Sequence, residues 1–86
     1  MKQLVFTVRD SKAEVFLAPF FMRTKGMAIR GFTAMVNDRA HEMCQFAEDY
    51  TLFFLGHYDE GTGMMEPLAS PESMGNAVVF QKEEEL

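Results

Sequence analysis

The sequence predicts an α+β domain: a small antiparallel sheet with one main helix, about residues 25–37, packed on one face, followed by a C-terminal helix or strand. Three observations point there. Residues 2–9 and 51–59 run as apolar strands, the first with a clear period of two. Between them Ala28, Ile29, Phe32, Met35 and Val36 make a single helical stripe. A length of 86 residues at 48% apolar content supports one thin core and leaves no room for a second, so residues 1–86 are read as a single domain.

The first strand carries Leu4, Phe6 and Val8 on one side and Val5, Thr7 and Arg9 on the other, the pattern of a half-buried strand. Asp10-Ser11-Lys12 reads as a turn. Ala13 to Met22 is apolar but interrupted by Pro19, which lacks a donor and pushes Ala18 out of the helical region. An irregular connection with one helical turn before the proline is expected. Thr24 is placed to cap the main helix, its hydroxyl accepting from free first-turn amides. Gly26 and Gly31 each weaken that helix by ~1 kcal/mol relative to Ala, and Gly31 is expected where another backbone comes close. Asn37-Asp38 is the exit, and residues 39–49 continue as a second helical piece carrying Met43 and Phe46.

In the second strand Phe53, Leu55 and His57 share one face, with Leu52, Phe54 and Tyr58 on the other around Gly56. Asp59 to Gly63 is a turn whose two glycines can take positive φ, and Met64 to Leu68 returns as a partner strand with Pro67 at a sheet edge. Ser70-Pro71 reads as an N-cap followed by a first-position proline. Residues 74–82 fit two readings. Met74, Ala77, Val78 and Gln81 share a helix face, whereas Val78-Val79-Phe80 favour strand and Gly75-Asn76 disfavour helix. Residues 83–86 read as a flexible, solvated acidic tail. Both faces of 51–58 are apolar and one helix covers only one of them. The other needs Phe16, Phe20 and Phe21 folded over it, or a second subunit in a homodimer paired through sheet face or edge.

Composition removes several classes. Charged residues are 24%, ordinary for a soluble domain, and no apolar run approaches the roughly 20 residues of a membrane-spanning helix. The opening apolar stretch is too short for a secretory signal, and one cysteine, Cys44, makes no internal disulfide, so a cytoplasmic chain without membrane contact is expected. Charge is uneven. Residues 1–40 hold seven bases against three acids, whereas from His41 onward Lys82 alone opposes ten acids, for a total of −5. That total repels phosphate at long range, although a local basic face can still touch it.

No constellation of reactive groups stands out. His41 and Cys44 would share a helix face, with His57 further on, but structural metal sites show four ligands at recognisable spacing. Cys44 with either histidine supplies the types for nucleophilic catalysis without a nucleophile signature. Glu48-Asp49 and Asp59-Glu60 are adjacent and point apart, and Gly61-Thr62-Gly63 lacks the lysine of a phosphate loop. No catalytic, cofactor-binding or metal-binding residue is therefore expected. The eight methionines read first as core filler, with Met22, Met27, Met64 and Met65 as an adaptable contact surface in the alternative. Phe16, Phe20, Phe21, Arg23, Lys25 and Arg30 interleave aromatics with bases, as single-strand binders do; the simpler account is core phenylalanines beside a solvated basic helix face.

Taken in order, Asp10-Ser11-Lys12-Ala13-Glu14, Ala18-Pro19-Phe20-Phe21, Ala28-Ile29-Arg30-Gly31-Phe32, Val36-Asn37-Asp38, Glu48-Asp49-Tyr50-Thr51-Leu52 and Leu55-Gly56-His57-Tyr58-Asp59 resemble the small nonstructural protein of gokushoviruses. These are tailless single-stranded DNA phages of the Microviridae. Pro67-Leu68, Ser70-Pro71 and Phe80 extend the likeness over nearly the whole chain, while His41 to Phe46 and Phe54 depart from it. The resemblance implies a non-virion protein of the infected bacterial cytoplasm. By genome position such proteins are likened to the microvirus protein that switches replication from duplex DNA to single-strand synthesis coupled to packaging. The expectation is thus a non-enzymatic regulator or adaptor of viral single-stranded DNA synthesis and genome packaging. It would act through protein contacts with phage replication or packaging proteins. The alternative is a weak single-stranded DNA-binding protein using the basic, aromatic N-terminal half. In either case Phe20, Phe21, Arg23, Lys25 and Arg30 are the expected contact residues.

Overall fold

Two long strands organise the computed structural model, which describes residues 1–82. The acidic tail read at 83–86 lies outside the described residues. β1 (Lys2–Asp10) and β4 (Tyr50–Asp59) pair antiparallel from Lys2 opposite Asp59 to Asp10 opposite Tyr50. β5 (Met64–Asn76) returns along the far side of β4 as an edge strand. The other edge, beside β1, is shared by β2 (Val15–Phe16) and β3 (Phe20–Met22). A helical layer covers one face, so the α+β architecture is the one the sequence predicts.

The region from Ala13 to Met22 differs from the expected irregular connection and holds no helical turn. Its β-branched and aromatic residues find the free edge of β1, a pairing that a sequence window cannot show. Pro19, with no N–H to give, sits in the break between the two short strands. Leu17 bridges that break by donating its N–H to the Val8 carbonyl at 2.8 Å. As a result β1 is not half-buried: Val5, Phe6, Thr7 and Val8 are all at most 3% exposed.

The main helix, α1 (Lys25–Val36), begins where Thr24 Oγ1 accepts from the Met27 N–H at 3.1 Å. Its stripe of Ala28, Phe32 and Val36, flanked by Ile29 and Met35, packs on Phe6, Val8, Leu52 and Phe54. Full burial of Phe32 alone contributes about 1.5–3 kcal/mol. Gly31 does not mark a close backbone approach, because a Cβ there would meet only the Met22 methyl at 3.9 Å. Asn37 closes the helix as expected, and residues 39–49 hold one short helix, α2 (Glu42–Gln45), and a 3₁₀ turn at Ala47–Asp49. Met43 points into the core, but Phe46 does not; its side chain is 55% exposed.

Two further expectations fail, one in β4 and one in β5. The register of β1 on β4 shifts between Val5 and Phe6, which leaves Leu55 as an extra residue. That shift exchanges the faces beyond it. His57 stands opposite Leu4 on the helix side, edge-on to Phe54 at 5.6 Å, and Tyr58 turns to the other side against Phe21. Of the two glycines in the 59–63 turn, only Gly63 takes a positive φ, +74°. Ser70-Pro71 starts no helix and lies inside β5.

The two readings of 74–82 each hold for part of it: strand to Asn76, then a single helical turn, α3 (Ala77–Phe80). Asn76 Oδ1 caps that turn through the Val78 N–H at 3.0 Å, while its Nδ2 donates to the Glu48 carbonyl and Thr51 Oγ1. Asn37 then donates to the Phe80 carbonyl and accepts from the Lys82 N–H. These anchors, with Phe80 edge-on to Phe32, override the β preference of Val78-Val79. The smallest dimension of the molecule is 19 Å, enough for a sheet and one helical layer of about 10 Å.

Candidate functional site

The sheet face turned away from the helices carries the most distinctive surface. Residues opposite one another in an antiparallel pair project to the same side. The register therefore sorts the side chains of the paired strand residues. Gln3, Val5, Thr7 and Arg9 of β1 share the open side with Thr51, Phe53 and Tyr58 of β4. Phe16, opposite Arg9, and Phe21, opposite Val5, join them from the edge strands, as does Met65, opposite Tyr58, from β5.

Four aromatic rings on this side meet in two pairs. Phe16 is edge-on to Phe53 with centroids 5.4 Å apart, and the Arg9 guanidinium lies 5.4 Å from the Phe16 ring. Phe21 is edge-on to Tyr58 at 5.7 Å. Both edge-strand phenylalanines keep nearly half their surface, Phe16 at 49% and Phe21 at 43%.

Where β4 meets β5 lies an apolar groove of about 280 Å³, lined by Val5, Pro19, Leu55, Gly56, His57 and Met65 and by Pro67 to Pro71, with none of the four rings in its wall. The groove exists because β5 swings wide there. Pro67 pairs with Gly56 and Glu72 with Phe54, so four residues of β5 span the single Leu55. Gly56, at φ +141°, makes the crossing possible: a Cβ there would stand 2.3 Å from the Glu66 carbonyl oxygen. Towards β2 the chain closes over the sheet: Thr7 Oγ1 donates to the Leu17 carbonyl at 2.7 Å and Thr7 is buried.

Charge is segregated between the two sides. All four acidic residues of the long strands lie on the helix side: Asp10 opposite Tyr50, Asp59 opposite Lys2, Glu66 opposite His57 and Glu72 opposite Phe54. Two meet bases there, Glu66 with Lys2 at 2.7 Å and Glu72 with Lys25 at 3.8 Å. Arg9 is the one formally charged strand residue on the open side.

The residues expected from the sequence to make contacts do not form one patch. Phe20 turns inward and stacks on Phe6 at 5.7 Å. Phe21 belongs to the open face. Lys25 sits on the helix side, its ammonium 4.7 Å from the Phe54 ring, and Arg30 is exposed along α1. Arg23 is exposed beside Met1, 3.8 Å from its sulfur. Arg9, Phe53 and Tyr58 were outside that set. Strand alternation already put Arg9 beside Val5 and Thr7, but only the bulge at Leu55 brings Tyr58 to this side.

The candidate reactive groups have structural duties. His41 caps α2, its Nδ1 accepting from the Met43 N–H at 3.1 Å, and half-buried Cys44 receives Gln81 Nε2 on its carbonyl at 3.0 Å. His57 is on β4 against Phe54, away from both. Among the described residues no three metal-ligating side chains gather, and no helix is long and apolar enough to cross a membrane. A cleft edged by Asp10, Lys12, Glu42, Phe46 and Asp49 leads to Tyr50. Burial there, together with the Asp10, Glu42 and Asp49 carboxylates, holds the Tyr50 phenol above its ordinary pKa.

No curated protein and no solved structure matches the chain. A family model does, along residues 3–80, which takes in every strand and helix except Lys2 at the start of β1, and by that match the chain belongs to the Phage ORF5 protein family.

Proposed function

We propose that this is a nonstructural phage protein of the gokushovirus type, and that it regulates viral single-stranded DNA synthesis and genome packaging without chemistry of its own. It works in the cytoplasm of the infected bacterium as an adaptor for replication or packaging proteins. Membership of a phage family supports the setting. The sheet face without helices supports the mode of action: Phe16, Phe21 and Met65 along its edge strands are each more than 40% exposed. Exposed apolar side chains gathered on one face are what a contact surface presents. Homodimer formation through that face is compatible with the same role.

The test is genetic. A phage carrying an early stop codon in this reading frame is followed through one infection by measuring duplex and single-stranded viral DNA. Duplex DNA should accumulate while single-stranded genomes and filled particles fall. Unchanged single-strand synthesis and packaging would sink the proposal.

A further inference from the structure

We propose that the open sheet face binds a single-stranded polynucleotide, with bases stacked on Phe16 and Phe53 and on Phe21 and Tyr58, and Arg9 on the phosphate backbone. This goes beyond the protein-docking role by giving the same face a polynucleotide ligand, and the two fall to different experiments.

Three observations on independent residues converge. Two exposed rings, Phe16 and Phe21, and two half-buried ones, Phe53 and Tyr58, share one sheet face, the arrangement on which unpaired bases stack; aliphatic side chains offer no such π face. The sole charge among the strand side chains of that side is positive, and Arg9 already lies over a ring. The four carboxylates borne on β1, β4 and β5, those of Asp10, Asp59, Glu66 and Glu72, are on the far side of the sheet. A polyanion approaching the open side thus meets a cation and π surfaces first. A protein partner of the same face would need apolar contact area but not aromaticity, and that difference decides the test.

The full chain is titrated against a fluorescent 15-nucleotide oligo(dT) at 150 mM NaCl, reading anisotropy. Saturable binding is expected, with a dissociation constant of about 10⁻⁶–10⁻⁴ M. Phe16→Leu and Phe21→Leu, both at exposed edge-strand positions, should keep the circular dichroism spectrum and each weaken binding about fivefold or more. Arg9→Gln should lower the slope of log affinity against log salt by about 0.7, the value for one single-strand phosphate contact. Arg30→Gln, on the outer side of α1, should bind as the native chain does. Three results overturn the proposal: no saturable binding up to about 10⁻⁴ M, equal affinity for a duplex of the same length, or folded leucine variants with native affinity. The last would mark the face as a protein-docking surface. Native oligo(dT) binding in a protein whose loss leaves phage DNA synthesis unchanged would keep this inference and remove the regulatory role.

Discussion

Replacing Gly56 with alanine should be among the most damaging single-methyl additions in this fold. The residue has φ +141°, and an added Cβ would lie 2.3 Å from the Glu66 carbonyl oxygen, 2.8 Å from Pro67 Cα and 3.0 Å from the Leu68 nitrogen. All three are backbone atoms of β5, so relief requires the strand itself to move. Backbone strain at such a φ costs about 1–3 kcal/mol, and inserting volume into a packed site costs about another 1–3 kcal/mol. Together they give roughly 2–6 kcal/mol. A domain of this length has a total stability of roughly 4–13 kcal/mol at about 0.05–0.15 kcal/mol per residue. Urea denaturation followed by circular dichroism should therefore show a midpoint collapse or an unfolded variant. Two other glycines calibrate the result. Gly63, at φ +74° with nothing within 4 Å of a Cβ, should lose only about 1–2 kcal/mol as alanine. Gly31, inside α1 with only the Met22 methyl at 3.9 Å, should gain up to about 1 kcal/mol. If Gly56→Ala unfolds within about 0.5 kcal/mol of the native chain, the ordinary range for a surface change, β5 does not cross β4 as described and the groove is not there.

Asn37→Ala removes the donor to the Thr33 and Phe80 carbonyls and the acceptor of the Lys82 N–H, all between 2.7 and 3.0 Å. A loss of about 1–3 kcal/mol is expected, with earlier amide exchange at Val78 to Lys82 than in the rest of the chain; uniform exchange would contradict the anchoring. Tyr50 gives a pH dependence of stated sign. Its folded pKa is raised above 10.0, so the protection of the neutral phenol is complete below pH 10 and is lost as pH rises through the folded value. Tyr50→Phe should flatten the alkaline fall in the urea midpoint above pH 10, and an unchanged slope would show that Tyr50 is not the responsible group.

Local chemistry was well marked in the sequence. Thr24, the Ala28-Phe32-Val36 stripe, the Asp10 turn and the Asn37 exit all act within four residues of themselves, where capping and periodicity operate. What was not legible depends on partners distant in sequence. Val15, Phe16 and Phe20 to Met22 become strands because β1 presents an edge, and Val78-Val79 become helical because Asn76 and Asn37 hold the chain there. The bulge at Leu55 is the clearest case. Gly56 is the one sign in Phe53-Phe54-Leu55-Gly56-His57-Tyr58 that a bulge is near, but it does not say which residue is extra, and that residue decides on which side His57 and Tyr58 stand. The candidate face was hidden for the same reason. Sequence neighbours Phe20 and Phe21 part to opposite sides, while Arg9, Phe16 and Phe53, far apart along the chain, come together.

A net charge of −5 argued against phosphate contact when the chain was a list of residues. Pairing changes what that number means. Antiparallel register is a sorting rule: it sends Asp10, Asp59, Glu66 and Glu72 to one side and Arg9 to the other. The carboxylates then lie across the thickness of the sheet from the open face, and a packed layer spans about 10 Å. Ions screen charge over about 8 Å at physiological salt, so at that salt a ligand on the open face senses Arg9 at contact and the acids only weakly. In dilute salt, where screening reaches about 30 Å, the acidic side is felt through the sheet and opposes the same ligand. Whole-chain charge governs encounter at long range, and the register of β1 on β4 governs what is met at contact.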